Sequence, residues 1–388
     1  MVETVVARLP AAMGLCTFDI LTTYPVDDAD RVPPGASARV VGLEPLRLAL
    51  VEFPVACLVL VSRLLHVPTG WVRTRACRSI LDSAVVVDVA GISFVDGRGL
   101  PITVYNALMT GLPLLLGTPT VKAAQALGPF RTQPNRLLAR IVLPRLAAVC
   151  ARGERTRAHL QELGLDNVVE VADLAFSLAE SGDLPVEHSA RVSSLPGGYM
   201  VVMPSAVVRG LRESAGNDYV NEIVALIGHL RRETGLAVVV APHSYRAGHP
   251  EGRMNDGPVC RQVVAALAHD AQVVGIDADL TAGQLRTLIA GSRILVTSRF
   301  HAMISGLATC VPTVVVGWSH KYREVLADFG MEHLGMDSDT LAEPARIVGT
   351  VVDCLNDRDR GSQRIAESLP LVRARSMRNF DVIAAAAR

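Results

Sequence analysis

Apolar positions in this chain follow two rhythms. Short unbroken runs of Val, Ala and Leu alternate with longer stretches whose apolar residues return every three or four positions. The first rhythm marks strands buried on both faces, and the second marks helices with one apolar face. In the carboxy-terminal half it predicts strands over 199–204, 236–242, 272–276, 293–297 and 313–318. It predicts helices over 221–233, 258–269, 281–290, 300–309 and 322–329. Thr281 and Gln284 have the spacing of a capping box at the start of the third. Such alternation implies a parallel, Rossmann-like sheet.

The amino-terminal half is less regular. Strands are expected over 18–22, 38–41, 84–89, 112–116, 146–150 and 168–171, and helices over 2–13, 101–110, 135–143 and 154–163. The segment 46–65 is strongly apolar, but Arg47, Glu52 and Pro54 interrupt it. What remains falls short of the ~20 residues of a membrane span. A buried helix is the expected reading, with a peripheral membrane contact as the alternative. Pro and Gly among polar residues mark 183–198 as a linker. The expected organisation is α/β, with Rossmann-like domains over 1–182 and 199–361. The Arg- and Ala-rich segment 362–388 is expected to be a helix that packs back on the first domain.

The length of 388 residues accommodates two cores, and half of the residues are hydrophobic. The formal net charge is zero, and no basic stripe for nucleic acid is present. Seven cysteines lie far apart without CxxC or zinc spacing. They read as reduced thiols of a cytosolic protein, with no metal site. The opening MVETVVARLP lacks the basic start and long apolar core of a signal peptide. Nothing in the pattern specifies an oligomeric state. The cations are almost all arginine; the two lysines are Lys122 and Lys321. A compact ammonium retained against that background singles out both positions.

Candidate chemistry gathers at strand ends, where open α/β sheets bind ligands. Arg299 and His301 follow the strand 293–297 and open a helix. Thr297 or Ser298 is placed to cap that helix, and its N-terminus favours an anion. Arg299 offers a planar fork for a carboxylate or phosphate, and His301 is a proton carrier near neutral pH. The plain alternative is a structural ion pair at Arg299 and a satisfied histidine at 301. His320 and Lys321 follow the next strand and arrive at the same edge. That convergence favours a site for an anionic substrate, and an enzyme over a scaffold. His243 follows the strand 236–242 and precedes a glycine-bearing loop, 244–257, which suits substrate binding or a plain surface loop equally. Asp96, in GISFVDGRG, is a candidate proton acceptor or sugar ligand, or else a helix cap.

Four blocks in sequence order resemble the polysaccharide pyruvyl transferase family. They are DVAGISFVDGRG at 88–99; Gly128-Pro129-Phe130; ARGERTRAHLQELGL with VADLAF, containing Arg152, Glu154 and Asp173; and SRFHAMISGLATCVPTVVVGWSHK. The likeness runs from about residue 18 to 329. It implies a GT-B-like pair of Rossmann-like domains facing across a cleft. It also implies transfer of a pyruvyl group from phosphoenolpyruvate to a sugar of a cell-envelope or exopolysaccharide glycan, forming a pyruvate ketal. No cofactor is implied beyond phosphoenolpyruvate as donor substrate; the partner is a saccharide acceptor. On this reading His301 is the general acid. Arg299, Lys321 and the helix N-terminus hold phosphate and carboxylate. Arg152 adds positive charge, Asp96 takes the hydroxyl proton, and His320, His243 and Ser298 contact substrate.

The chain departs from the family pattern in three places. It opens on what reads as the family's first helix, so the first domain is expected to lack its opening strand and loop. Gly153 replaces an aspartate and Ala90 a glycine. The alternatives are a GT-B-like glycosyltransferase, a sugar-nucleotide epimerase, or a non-catalytic truncated relative. The first two call for an acidic residue gripping a ribose, and none stands out.

Overall fold

The computed structural model describes residues 1–32, 35–178, 182–245, 255–317 and 321–388. It divides into two compact units, Met1–Leu178 with Arg373–Arg388, and Ala179–Val372.

In the first unit, β1 (Phe18–Thr22) and β2 (Ala38–Gly42) form a parallel pair. Next, β3 (Val86–Asp88), β4 (Thr120–Gln125), β5 (Ala148–Arg152) and β6 (Val168–Val171) form a parallel sheet in that order. One sequence expectation fails here, and one strand was not expected. The apolar run 112–116 is no strand but the end of the helix Leu100–Leu116, and Leu112 and Leu116 enter the core. A short apolar run does not distinguish a strand from a buried helix. Gly117 stops the helix in the left-handed region (φ 71°), donating its N–H to Leu114 O. The real strand, β4, went unrecognised because Lys122 and Gln125 interrupt its apolar pattern, yet both are buried.

The helical segment Pro45–Leu64 also corrects an expectation. Leu48, Ala56 and Val59 pack with Leu112 and Leu116. Most of the segment is nevertheless exposed, so it is buried on one face only.

In the second unit, β7 (Tyr199–Met203), β8 (Ala237–Val240), β9 (Val273–Gly275), β10 (Leu295–Thr297), β11 (Thr313–Gly317) and β12 (Gly335–Asp337) form one parallel sheet. Its order is β9-β8-β7-β10-β11-β12, the doubly wound Rossmann arrangement. Every residue of β7, β8, β10 and β11 is buried, which is why these strands read as continuous Val and Ala. Thr281 and Gln284 form both bonds of the capping box. The edge strand β12 has no apolar run to announce it. The segment read as a linker carries a helix, Val186–Ser193, and its Val192, with Leu184 and Leu195, packs into the second core. It is part of the unit because those apolar side chains are worth burying. The final helix, Arg358–Ala386, starts in the second unit, and its residues from Arg373 belong to the first. There Phe380 and Ile383 join Val5 and Leu9 in the core.

Candidate functional site

Strand order reverses between β7 and β10, and the carboxyl ends of these two strands define the ligand crevice of a doubly wound sheet. Past β10, Arg299 is the N-cap residue of the helix Phe300–Ala308. Neither predicted cap is used. Thr297 Oγ1 accepts the N–H of Arg299 (2.9 Å) instead of a helical N–H. Ser298 is buried, donates its N–H to Met203 O (3.0 Å), and bonds through its hydroxyl to Tyr219. The helix sits hard against β11: a Cβ on Gly306 would collide with Thr313 Oγ1.

The Arg299 guanidinium is held by Asp256. Nε donates to Oδ2 (2.8 Å) and Nη2 donates to Oδ1. Asp256 is fully buried and also accepts the N–H groups of Ala206 (2.8 Å) and Ser244 (3.0 Å). Four donors from three chain segments thus converge on one carboxylate, which meets its desolvation cost. The structural ion pair is real, and it changes the role of Arg299. One edge of the fork is occupied; Nη1 bonds no described residue. Sequence reasoning missed Asp256. The Asn255-Asp256-Gly257-Pro258 turn ahead of a helix was its signal, but a capping acid and a buried acid look alike in sequence.

His301 and His243 meet at this edge. Their rings stack at 6.5 Å between centroids with planes 16° apart. Burial, with His301 and Arg299 close by, pushes the His243 imidazole down to about 3. It is therefore neutral near pH 7. Phe300 meets His301 edge-on (5.4 Å). Tyr322, which the sequence did not single out, docks the next helix: its hydroxyl donates to Ser298 O (3.1 Å) and its ring lies 5.8 Å from Phe300. Lys321 opens that helix, Lys321–Ala327, beside the anchor. His320, the tip 318–319 before it, and 246–254 of the loop after His243 lie outside the described residues.

In the first unit the candidates resolve differently. Asp96 accepts from Arg131 N (2.5 Å), Thr132 N (3.3 Å), Thr132 Oγ1 (2.8 Å) and Asn135 Nδ2 (2.7 Å). Burial raises its affinity for a proton, but these donors outweigh it and hold the carboxyl below its usual value. Asp96 thus clamps the start of the helix Gln133–Val142. Arg152 is buried at the end of β5 and pairs with the buried Asp173 (2.7 Å). It holds β5 to the turn after β6. A polar cluster went unnoticed. Lys122, fully buried, donates to Asp88 (2.5 Å) and lies over the Phe94 ring (5.4 Å). Gln125 donates to Asp88 O (2.9 Å) and accepts from Ser93 (2.5 Å).

A polysaccharide pyruvyl transferase family model matches residues 24–320. No curated protein sequence matches the chain. Among solved structures, a putative UDP-N-acetylglucosamine 2-epimerase from Listeria monocytogenes is similar at 12% identity and a TM-score of 0.57, over 94% of this chain and 87% of that one. The S. aureus MnaA–UDP co-structure is similar at 13% identity and 0.53, over 91% of each chain. An E. coli trehalose-6-phosphate structure bound with UDP-2-fluoro glucose is similar at 9% identity and 0.53, over 91% of this chain and 88% of that one. Likeness at these identities shows a common fold, of the GT-B type.

Proposed function

This chain belongs to the polysaccharide pyruvyl transferase family, and from that premise we propose that it transfers the pyruvyl group of phosphoenolpyruvate to two hydroxyls of a cell-envelope or exopolysaccharide sugar. The observation that carries this reading is the trio at the β7–β10 switch point. Arg299 is fixed by Asp256, His301 stands on the first turn of the adjoining helix, and the neutral His243 is stacked on it.

The chemistry needs a proton at the methylene carbon and a grip on two anionic groups. His301 gives its proton to that carbon, which becomes a methyl group, and positive charge develops at C2. A sugar hydroxyl adds to C2; the C2–O bond to phosphate breaks; a second hydroxyl closes the ketal. Of the two hydroxyl protons, one restores His301 and the other leaves with phosphate. The Nη1 edge of Arg299, the positive end of the Phe300–Ala308 helix and Lys321 take the carboxylate and phosphate. Because Asp256 fixes the guanidinium, little reorganisation accompanies charge movement in the transition state.

The test is phosphate release from phosphoenolpyruvate against a panel of cell-envelope glycans, with proton NMR of the product. Acceptor-dependent release together with a new ketal methyl signal is expected. Turnover of a UDP-sugar, with no phosphate release on any glycan, would replace this reading with that of a nucleotide-sugar enzyme.

A further inference from the structure

The helical segment Pro45–Leu64 has two apolar faces and only one core. Leu48, Ala56 and Val59 point into the first unit. On the other side Leu58, Val61, Leu64 and Leu65 are exposed at spacings of three and four, followed by Val67 and Trp71. Leu64 and Leu65 are 70% and 68% exposed, so the stripe is fully open rather than grazed. A helix apolar all round normally has an apolar partner on each side. A contiguous exposed patch of this kind marks a contact surface.

The charge around the patch identifies the partner. From Phe53 to Leu81 the chain contains no acidic residue. It contains Arg63, Arg73, Arg75 and Arg78, all exposed, and the exposed His66. Arg63 is tied to the end of the neighbouring helix through Leu116 O, and Arg73 to Gly70 O (2.9 Å), so these cations are held at one end of the apolar stripe. Apolar side chains flanked by arginines and a tryptophan fit a bilayer surface: acyl chains meet the leucines, the indole sits at headgroup depth, and the cations meet anionic headgroups. The inner face stays on the protein core, and Glu52, fully buried, is bonded to Arg47 (3.0 Å) and to the Cys77 N–H (3.3 Å). The segment is therefore suited to lie along a membrane rather than to cross it.

We propose that this face docks the protein on an anionic lipid bilayer through Leu58, Val61, Leu64, Leu65 and Trp71, with Arg63, Arg73 and Arg75 on the headgroups; Arg78 is paired with Asp82 (3.8 Å) instead. The inference does not depend on the transfer reaction. The experiment is co-sedimentation of the full chain with vesicles of equal phosphatidylglycerol and phosphatidylcholine, and with phosphatidylcholine alone. Binding to the anionic vesicles is expected, with weakening in 0.5 M salt, where screening shortens (~4 Å Debye length). Leu58→Ser/Leu64→Ser should weaken it by about tenfold or more, and so should Arg73→Glu/Arg75→Glu, which leaves the apolar stripe intact. Leu371→Ser, an exposed leucine elsewhere, should bind like the parent. Circular dichroism melting confirms that each variant is folded. Absence of binding, binding unchanged in both double variants, or a dimer by light scattering that Leu58→Ser/Leu64→Ser dissociates would overturn the proposal, the last by assigning the face to a second copy.

Discussion

Arg299 and Asp256 form a two-pronged ion pair in which the carboxylate is fully buried and the guanidinium slightly exposed. The pair joins the β10 turn to the helix Gly257–Ala266, while Asp256 also holds Ser244 and Ala206. It is the joint that aligns three segments around the candidate site.

Asp256→Asn removes the charge on which four donors converge and turns an N–H₂ toward some of them. Loss of one partner of a buried pair costs about 3–5 kcal/mol. Urea unfolding should show a deficit of that order. A loss under ~1 kcal/mol would mean that the joint is not structural.

His243 gives a pH signature. Its folded-state value of about 3 lies below the 6.5 of the unfolded chain, so the unfolded state binds the additional proton. Stability is then fully present above pH 6.5 and falls toward pH 3, by up to about 1.4 kcal/mol per pH unit. The carboxylates held low, Asp19, Glu52, Asp88, Asp96 and Asp270, act chiefly below ~4.5, where unfolded carboxyls titrate, and the Met1 amine, lowered by burial, adds a slope common to parent and variant. His243→Gln should therefore flatten stability against pH between about 6.5 and 4.5. Parallel curves for the two proteins would contradict the assignment.

In the first unit, Lys122→Met leaves the Asp88 carboxylate without its ammonium and should cost about 3 kcal/mol. Adding Asp88→Asn removes the stranded charge, so the double variant should be more stable than Lys122→Met alone. Additive losses in denaturant melts would show that the two groups are not coupled.

The second sheet was legible because buried parallel strands leave nothing to disguise: β7, β8, β10 and β11 are runs of apolar residues between helix signals. Strands that carry polar side chains inward, such as β4 with Lys122 and Gln125, do not show that pattern, and the LPLLL run at 112–116 mimicked one. The positions of Arg299, His301 and His243 follow from the strand ends that precede them. Their partners do not. Asp256 lies 43 residues from Arg299, and Asp173 lies 21 from Arg152; tertiary folding chooses both. The bonds of Asp96 to Thr132 and Asn135, and of Arg152 to Asp173, are likewise set by tertiary folding.

His301→Ala should lower turnover by about 10²–10⁴, with the melting curve preserved, if the ring delivers the proton. Near-parental turnover would remove His301 from the chemistry and leave the reaction without its acid.

Calorimetric titration of the full chain with phosphoenolpyruvate, and separately with UDP, tests the central claim most directly. A saturable signal with phosphoenolpyruvate, lost in Arg299→Lys because a point charge does not replace a planar fork, and no signal with UDP, is the predicted result. Saturable binding of UDP with none of phosphoenolpyruvate would contradict it.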